Sequence, residues 1–204
     1  GDAPGAHGSY HQSIPGRLRQ HQGDYASGSG DGRGYPGVQS HPGGAAIRIG
    51  TGYDIHRLVE GRPLVLGGVT VPFEKGLLGH SDGDALLHAV IDALLGAACL
   101  GDIGAQFPSS DPAFKDADST DLLRQVATLI RDHGWRLVNL DATIIVEQPV
   151  MKPYLEPMRQ CIATCLAVEP EQVNVKAKTN DGLGVIGAGE GIIVQTVALL
   201  EEIE

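Results

Sequence analysis

The chain changes character near residue 46, and that break limits what it can fold into. Residues 1–46 are mostly Gly, Ser, His, Gln and Pro with almost no apolar periodicity; GSGDGRGYPG is typical. Such a segment buries too little surface to offset its ordering entropy, so it is expected to be a disordered leader. Its four histidines, His7, His11, His21 and His41, read as scattered polar residues rather than a metal site. Its three acidic and three basic residues cancel, so the whole net charge of −10 belongs to residues 47–204. That part is long enough for one domain. Its acidity argues against nucleic acid as a partner, which calls for a basic stripe. It leaves room for phosphorylated substrates held by a few local cations, metal ions and backbone N–H groups.

No apolar run is long enough to span a membrane, and no basic-then-apolar opening marks a signal peptide. The glycines and acidic residues of the leader also speak against an organelle transit peptide. Cys99, Cys161 and Cys165 form neither a disulfide framework nor a CxxC knuckle. Cys161 and Cys165 lie i,i+4 on a predicted helix and read as buried free thiols. A reducing, cytoplasmic setting fits, of bacterial rather than plastid type.

Periodicity supplies the elements. IRIGTGYDIH alternates as a strand, and RPLVLGGVTVPF reads as a hairpin turning at Gly67-Gly68. EKGLLGHSDGD is a polar loop. Residues 84–99 form a strong helix with Leu87, Val90, Ile91, Leu94 and Ala98 on its apolar face and Asp82 or Asp84 at its N-terminus. Residues 101–118 read as a loop. Helices follow at 119–133, with Ser119 as N-cap, and at 154–167. RLVNLDATIIVEQP, QVNVKAKT and GIIVQTVALLEEI are strands, and NDGLGVIGAGE is a glycine-rich loop. The expected fold is α/β of the α+β type: a mixed four-stranded sheet with helices on one face. No GxGxxG opens a helix after the first strand, and there is no P-loop.

Asp54 and His56 are two apart on a strand, so both side chains leave one face, with Tyr53 and Ile55 directed the other way, toward a core. His88, at the edge of the first helix's apolar stripe, is the best third ligand. Asp92, one helical turn later, is placed to accept its second ring N–H. Three N and O ligands with an open position suit a catalytic Zn²⁺. Asp-x-His on a strand is also common without a metal, and His88 with Asp92 also reads as a capped polar edge; spacing alone leaves both readings open. GHSDGD, residues 79–84, is a mobile loop running into a helix N-terminus. It reads equally as a phosphate site using His80 or as a plain cap. KAKTNDG offers Lys178, Thr179 and Asp181 for a phosphate chain with a divalent ion such as Mg²⁺.

RIGTGYDIHRL, LLGHSDGDALLHAVIDALLGA, LGDIGAQFPSSDP and VKAKTNDGLGVIGAGEGI, in this order and spacing, resemble the 2-C-methyl-D-erythritol 2,4-cyclodiphosphate synthase family of non-mevalonate isoprenoid biosynthesis. The resemblance runs from about residue 47 to the end. It implies a lyase that converts 4-diphosphocytidyl-2-C-methyl-D-erythritol 2-phosphate to the cyclic diphosphate and CMP. It also implies a homotrimer with sites between subunits and two metals: zinc on Asp54, His56 and His88, and Mg²⁺ or Mn²⁺ through Asp181. His80 and Thr179 match the positions that steady the transition state, with Ser81 in the same loop.

The substrate contacts carry over likewise. Asp102, Ile103 and Gly104 hold the methylerythritol diol. Phe107, Pro108, Ser109, Ser110 and Asp111 cover it. Val146, Glu147, Gln148, Pro149, Val150, Met151 and Lys152 form the cytosine pocket. Beside that pocket stand Lys178 and Thr179 from the neighbouring subunit, and Asn180, Asp181 and Val185 also contact substrate. The chain departs from the family at several points: Asp181 where Glu is frequent, Val185 where an aromatic is frequent, Val150 where a Lys is common, and Ala188 where some members carry an Arg or Lys facing a central trimer cavity. Two other readings use the same residues. One is a zinc hydrolase giving a linear product, the other a metal-stabilised binding module. The leader is too short for an upstream cytidylyltransferase domain, though not for its remnant or linker.

Overall fold

The computed structural model describes residues 45–114 and 117–203. The leader reading therefore lies almost wholly outside the described residues. Seven strands and five helices follow in chain order: β1 (Ile47–Glu60), β2 (Leu64–Leu66), β3 (Val69–Val71), β4 (Lys75–Leu77), α1 (Ala85–Ala98), α2 (Ile103–Gln106), α3 (Ser119–Asp132), β5 (Trp135–Ile145), α4 (Leu155–Leu166), β6 (Val173–Lys178), α5 (Gly184–Gly187) and β7 (Gly191–Glu202). Short 3₁₀ turns precede α3 and β6.

The main sheet has five strands, not the four expected, in the order β4-β1-β7-β5-β6, and β2 and β3 form a separate hairpin. The extra strand is β4. Its three residues pair antiparallel with Leu58–Glu60 of β1, a long-range pairing that no local pattern announces. The sheet is mixed, as expected: β5 and β6 run parallel, while β1–β7 and β5–β7 are antiparallel.

Helix α1 lies against β1 and β7 and is buried nearly all round, Ala85, Leu86, Ala89, Ala93, Leu95 and Ala97 joining the expected apolar face. A helix buried on every side needs a partner that comes very close. Gly50 and Gly52 of β1 supply it. A Cβ at Gly50 would stand 2.0 Å from the Ala93 carbonyl oxygen, and one at Gly52 1.8 Å from that of Ala89. Glycine here lets strand and helix backbones touch, which fixes Asp54 opposite His88.

This packing also corrects the assignment of faces on β1. The helix side carries Gly50, Gly52, Asp54 and His56, and Tyr53 and Ile55 look away from the core. They are 52% and 46% exposed in the single chain, beside Ile47, Ile49 and Val197 on the same open face.

Asp84 ties this layer together. Fully buried, it caps α1 by accepting from Leu87 N at 3.0 Å, and it takes Gly67 N and Gly68 N of the hairpin turn at 2.9 and 2.7 Å. Burial pushes its carboxyl above the ordinary range despite these three donors. Helix α3 is capped by Asp118, which accepts from Thr120 N, rather than by Ser119. Helices α2 and α5 are one turn each, inside segments read as loops. Cys165 is buried, Cys161 half-buried and Cys99 exposed, all as free thiols. Among the described residues no helix is long and apolar enough to cross a membrane.

Candidate metal centre and active site

Asp54 and His56 extend from β1 and His88 from the second turn of α1, and the three meet. His56 Nε2 is 2.8 Å and His88 Nδ1 3.0 Å from the same oxygen, Asp54 Oδ2. The rings are 5.6 Å apart between centroids and inclined by 60°. Among the described residues only this trio gathers three metal-ligating groups, with every donor atom within 4.8 Å of the others. Burial pushes the Asp54 carboxyl up, but the contacts and charges of His56 and His88 outweigh it and hold it at about 2. The same contact with Asp54 raises His56, against the effect of its own burial.

The hydrogen bonds show which atoms face inward. Leu78 O can only accept, so its 2.6 Å contact with His56 Nδ1 puts a proton on that nitrogen. In the neutral ring Nε2 is then a lone pair. It is near Asp54 but outside hydrogen-bonding direction, and it is buried with no hydrogen-bond partner. A buried imidazole lone pair beside a carboxylate oxygen is a ligand set for a cation, and mixed N and O donors fit zinc.

Around His88 the sequence reading needs correction. Its second ring nitrogen does not turn to Asp92, whose carboxylate instead accepts Ile103 N at 2.8 Å and anchors the start of α2. His88 Nε2 meets Ser81 Oγ at 3.1 Å and Ser119 Oγ at 3.0 Å. Ser119, expected as a helix cap, and Asp82, to which it is bonded, were missed at this site. So was Arg62. Its guanidinium reaches Ser81 O at 3.0 Å and Gly79 O at 3.4 Å, gripping the loop that carries His80. The only signal in the sequence was an arginine next to a proline.

A cleft of about 280 Å³ opens over the trio and is also lined by His80, Ser81, Ile103, Gly104, Phe107 and Ser109. The expected zinc ligands, His80 and Ser81, and two of the diol residues, Ile103 and Gly104, thus share one space. Phe107 stacks edge-on with Phe114 at 5.3 Å, and Pro108, Ser110 and Asp111 are exposed on the loop beyond. Asp102, expected on the diol, caps α2 through Ala105 N at 2.8 Å.

The other expected residues do not line this cleft. Val146, Glu147, Pro149, Val150, Met151, Lys152, Lys178 and Thr179 line a second one of about 340 Å³ at the ends of β5 and β6. There Glu147 holds the turn after β6, accepting Asn180 N at 2.8 Å and Gly182 N at 3.1 Å. Thr179 Oγ1 donates to Asp181 Oδ1 at 3.1 Å. Gln148 is exposed, and Val185 is 57% exposed on α5. A third cavity, about 420 Å³ between α3, α4 and β5, contains none of the expected site residues.

The YgbB family model matches residues 47–201. The chain belongs to the YgbB family. Over 156 residues it is 61% identical to the 2-C-methyl-D-erythritol 2,4-cyclodiphosphate synthase of Geobacillus kaustophilus, covering 76% of this chain and 99% of that one. The synthase of Desulfatibacillum aliphaticivorans is 59% identical over 155 residues, covering 76% of this chain and all of that one. Solved YgbB-like structures agree in fold. The CDP complex of IspF from Plasmodium falciparum superposes with a TM-score of 0.68 at 35% identity, covering 78% of this chain and 97% of that one. The bifunctional IspDF of Campylobacter jejuni gives 0.76 at 41% identity, covering 78% of this chain and 43% of that larger one.

Proposed function

We propose that the cleft over Asp54, His56 and His88 is the reaction site and that these three residues hold zinc. The activity is that of the family: 4-diphosphocytidyl-2-C-methyl-D-erythritol 2-phosphate is converted to 2-C-methyl-D-erythritol 2,4-cyclodiphosphate and CMP, a lyase step of non-mevalonate isoprenoid biosynthesis. The observation that carries the site is the buried His56 Nε2, without a hydrogen bond, set with His88 Nδ1 within 3.0 Å of one oxygen of Asp54.

The substrate's 2-phosphate is itself the nucleophile: its oxygen bonds to the β-phosphorus as the bond to CMP breaks. No protein nucleophile is needed, and the protein's part is positioning and charge compensation. Zinc on the trio would supply positive charge where two phosphate groups are forced together. Asp181 would hold Mg²⁺ or Mn²⁺ with the diphosphate, a use typical of a lone carboxylate beside phosphates. His80, on the loop gripped by Arg62, donates to phosphate oxygens, and Ser81 lies beside it. Thr179 does the same from the second cleft, and Lys178 adds charge. Asp102, Ile103 and Gly104 bind the methylerythritol diol under the loop from Phe107 to Asp111. The segment from Val146 to Lys152 receives cytosine, chiefly through backbone groups.

One chain carries these as two separate half-sites, so we read the enzyme as a homotrimer with each site shared by two copies. The open sheet face with Ile47, Ile49, Tyr53, Ile55 and Val197, all at least 46% exposed, is the apolar surface such an assembly would cover. Residues 47–204 form the synthase domain, and the free thiols suit a reducing cytoplasm.

Phosphorus NMR of products formed from the diphosphocytidyl substrate tests the reading. Cyclic diphosphate with CMP, lost on chelation and restored by zinc plus magnesium, is expected. A linear phosphate product would mean hydrolysis by the same trio instead.

A further inference from the structure

We propose that Ser119 and Asp82 are positioning residues for the metal centre: they fix the proton of His88 on Nε2 and so present its Nδ1 lone pair beside Asp54. The proposal rests on the reading of Asp54, His56 and His88 as zinc ligands.

The Asp82 carboxylate, which accepts only, takes three bonds: Ser119 N at 3.0 Å, Ser119 Oγ at 2.6 Å and Asp84 N at 3.1 Å. A serine hydroxyl has one proton, and that of Ser119 is committed to Asp82. Toward His88 the hydroxyl can therefore only accept. His88 Nε2, 3.0 Å away, must be the donor. Ser81 Oγ, 3.1 Å from the same nitrogen and already accepting Gly83 N at 3.3 Å, offers a second acceptor. A neutral imidazole has one N–H. With that proton on Nε2, Nδ1 is a bare lone pair 3.0 Å from Asp54 Oδ2. Two acceptors at that distance repel unless a cation, a proton or a metal ion, lies between them.

His56 reaches the same state by a different route, its proton held by Leu78 O. The two histidines thus offer different atoms, Nε2 from one and Nδ1 from the other, and each is set by a hydrogen bond on its far side. For His88 that bond comes from the first residue of α3, which is fully buried. Because Asp118 performs the capping, the Ser119 hydroxyl is not needed by the helix. The relay Asp82–Ser119–His88 does the task that Asp92, bonded to Ile103, does not.

Zinc affinity of the full chain, measured by competition with a chromophoric chelator, tests this without turnover. Ser119→Ala is expected to weaken zinc by about 10- to 100-fold, the usual cost of losing such an outer contact. Asp82→Asn should weaken it in the same direction, and the double variant should be little worse than Ser119→Ala, since both act through one proton. His88→Ala should abolish the site and is the control for the zinc reading. In nitrogen-detected NMR of the unaltered metal-free chain in mildly alkaline solution, His88 should carry its proton on Nε2. This measurement decides the matter if Ser119→Ala fails to fold. Wild-type zinc affinity in Ser119→Ala alongside loss in His88→Ala would overturn the relay and leave the zinc site standing. A proton on His88 Nδ1 would overturn it equally. No zinc binding by the unaltered chain would overturn both.

Discussion

In the histidine cleft the ligand side chains are only 12–22% exposed, and the hydrogen bonds of both rings are already assigned. At the ends of β5 and β6, Lys178 and Thr179 stand exposed, and Asp181 sits on a left-handed backbone (φ 51) with Thr179 as its hydroxyl donor. The first cleft is prebuilt by packing between a strand and a helix. The second is an open row of groups, Lys178 and Thr179 exposed among the described residues. The difference shows where the chain stores its precision. On the function proposed above, holding a metal depends on buried, fixed donors, whereas the cytidine and phosphate contacts would be completed by a second copy.

Mixing variants breaks this comparison most sharply. His88→Ala and Asp181→Ala are each expected to be nearly inactive, since each removes several kcal/mol of charge stabilisation. Co-refolded in equal amounts, they should recover about a quarter of wild-type activity, because a site built head-to-tail from two copies is intact at about one position in four. If both halves of a site came from one chain, no activity would return.

Gly52→Ala probes the origin of the prebuilt cleft. Its methyl would meet the Ala89 carbonyl oxygen at 1.8 Å, so strand and helix must separate. A loss of at least about 1–3 kcal/mol in denaturant unfolding is expected, with weaker zinc binding because His88 moves with α1. An unchanged unfolding midpoint would contradict the close-approach account.

Arg62→Ala should act on the loop alone. Losing a charged grip on two carbonyls is expected to lower kcat/KM by roughly tenfold, about 1–2 kcal/mol, and to speed amide exchange at residues 79–82. Zinc affinity should fall less than in Ser119→Ala, because Asp82 keeps its own bonds to Ser119. Arg62→Lys should restore only part of the effect, since an ammonium lacks the fork that spans Gly79 O and Ser81 O.

The smallest effect belongs to Asp141, remote from both clefts. Its bond with Lys176, then that with Asn174, holds its carboxyl below the ordinary range. A depressed carboxyl stabilises the fold above its unfolded pKa, and the contribution is lost as pH falls through the folded value. The pair is exposed, so screening limits it to at most about 0.5 kcal/mol. Asp141→Asn should be slightly less stable at neutral pH and equal to wild type in strong acid, as followed by thermal unfolding.

Much of the candidate site was legible because strand and helix periods dictate faces. Two-residue spacing put Asp54 and His56 together, and His88 lay on the helix that packs against their strand. Alternation could not say which face of β1 is covered. Apolar Tyr53 and Ile55 suggested a core, whereas Gly50 and Gly52 on the opposite side were the true mark of a packed helix. β4 was illegible because three residues become a strand only through pairing with Leu58–Glu60. The Ser119–Asp82 bond joins segments 37 residues apart, and at a helix start Asp118 and Ser119 are equally plausible caps by composition.

The account's central claim is that three lone-pair donors converge on one cation. Crystals of the full chain grown with zinc, measured on both sides of the zinc absorption edge, test it directly. The account predicts an anomalous peak bonded to His56 Nε2, His88 Nδ1 and Asp54 at about 2.0–2.2 Å. Bound zinc elsewhere with these three atoms unligated, or a peak on His88 Nε2, would contradict it.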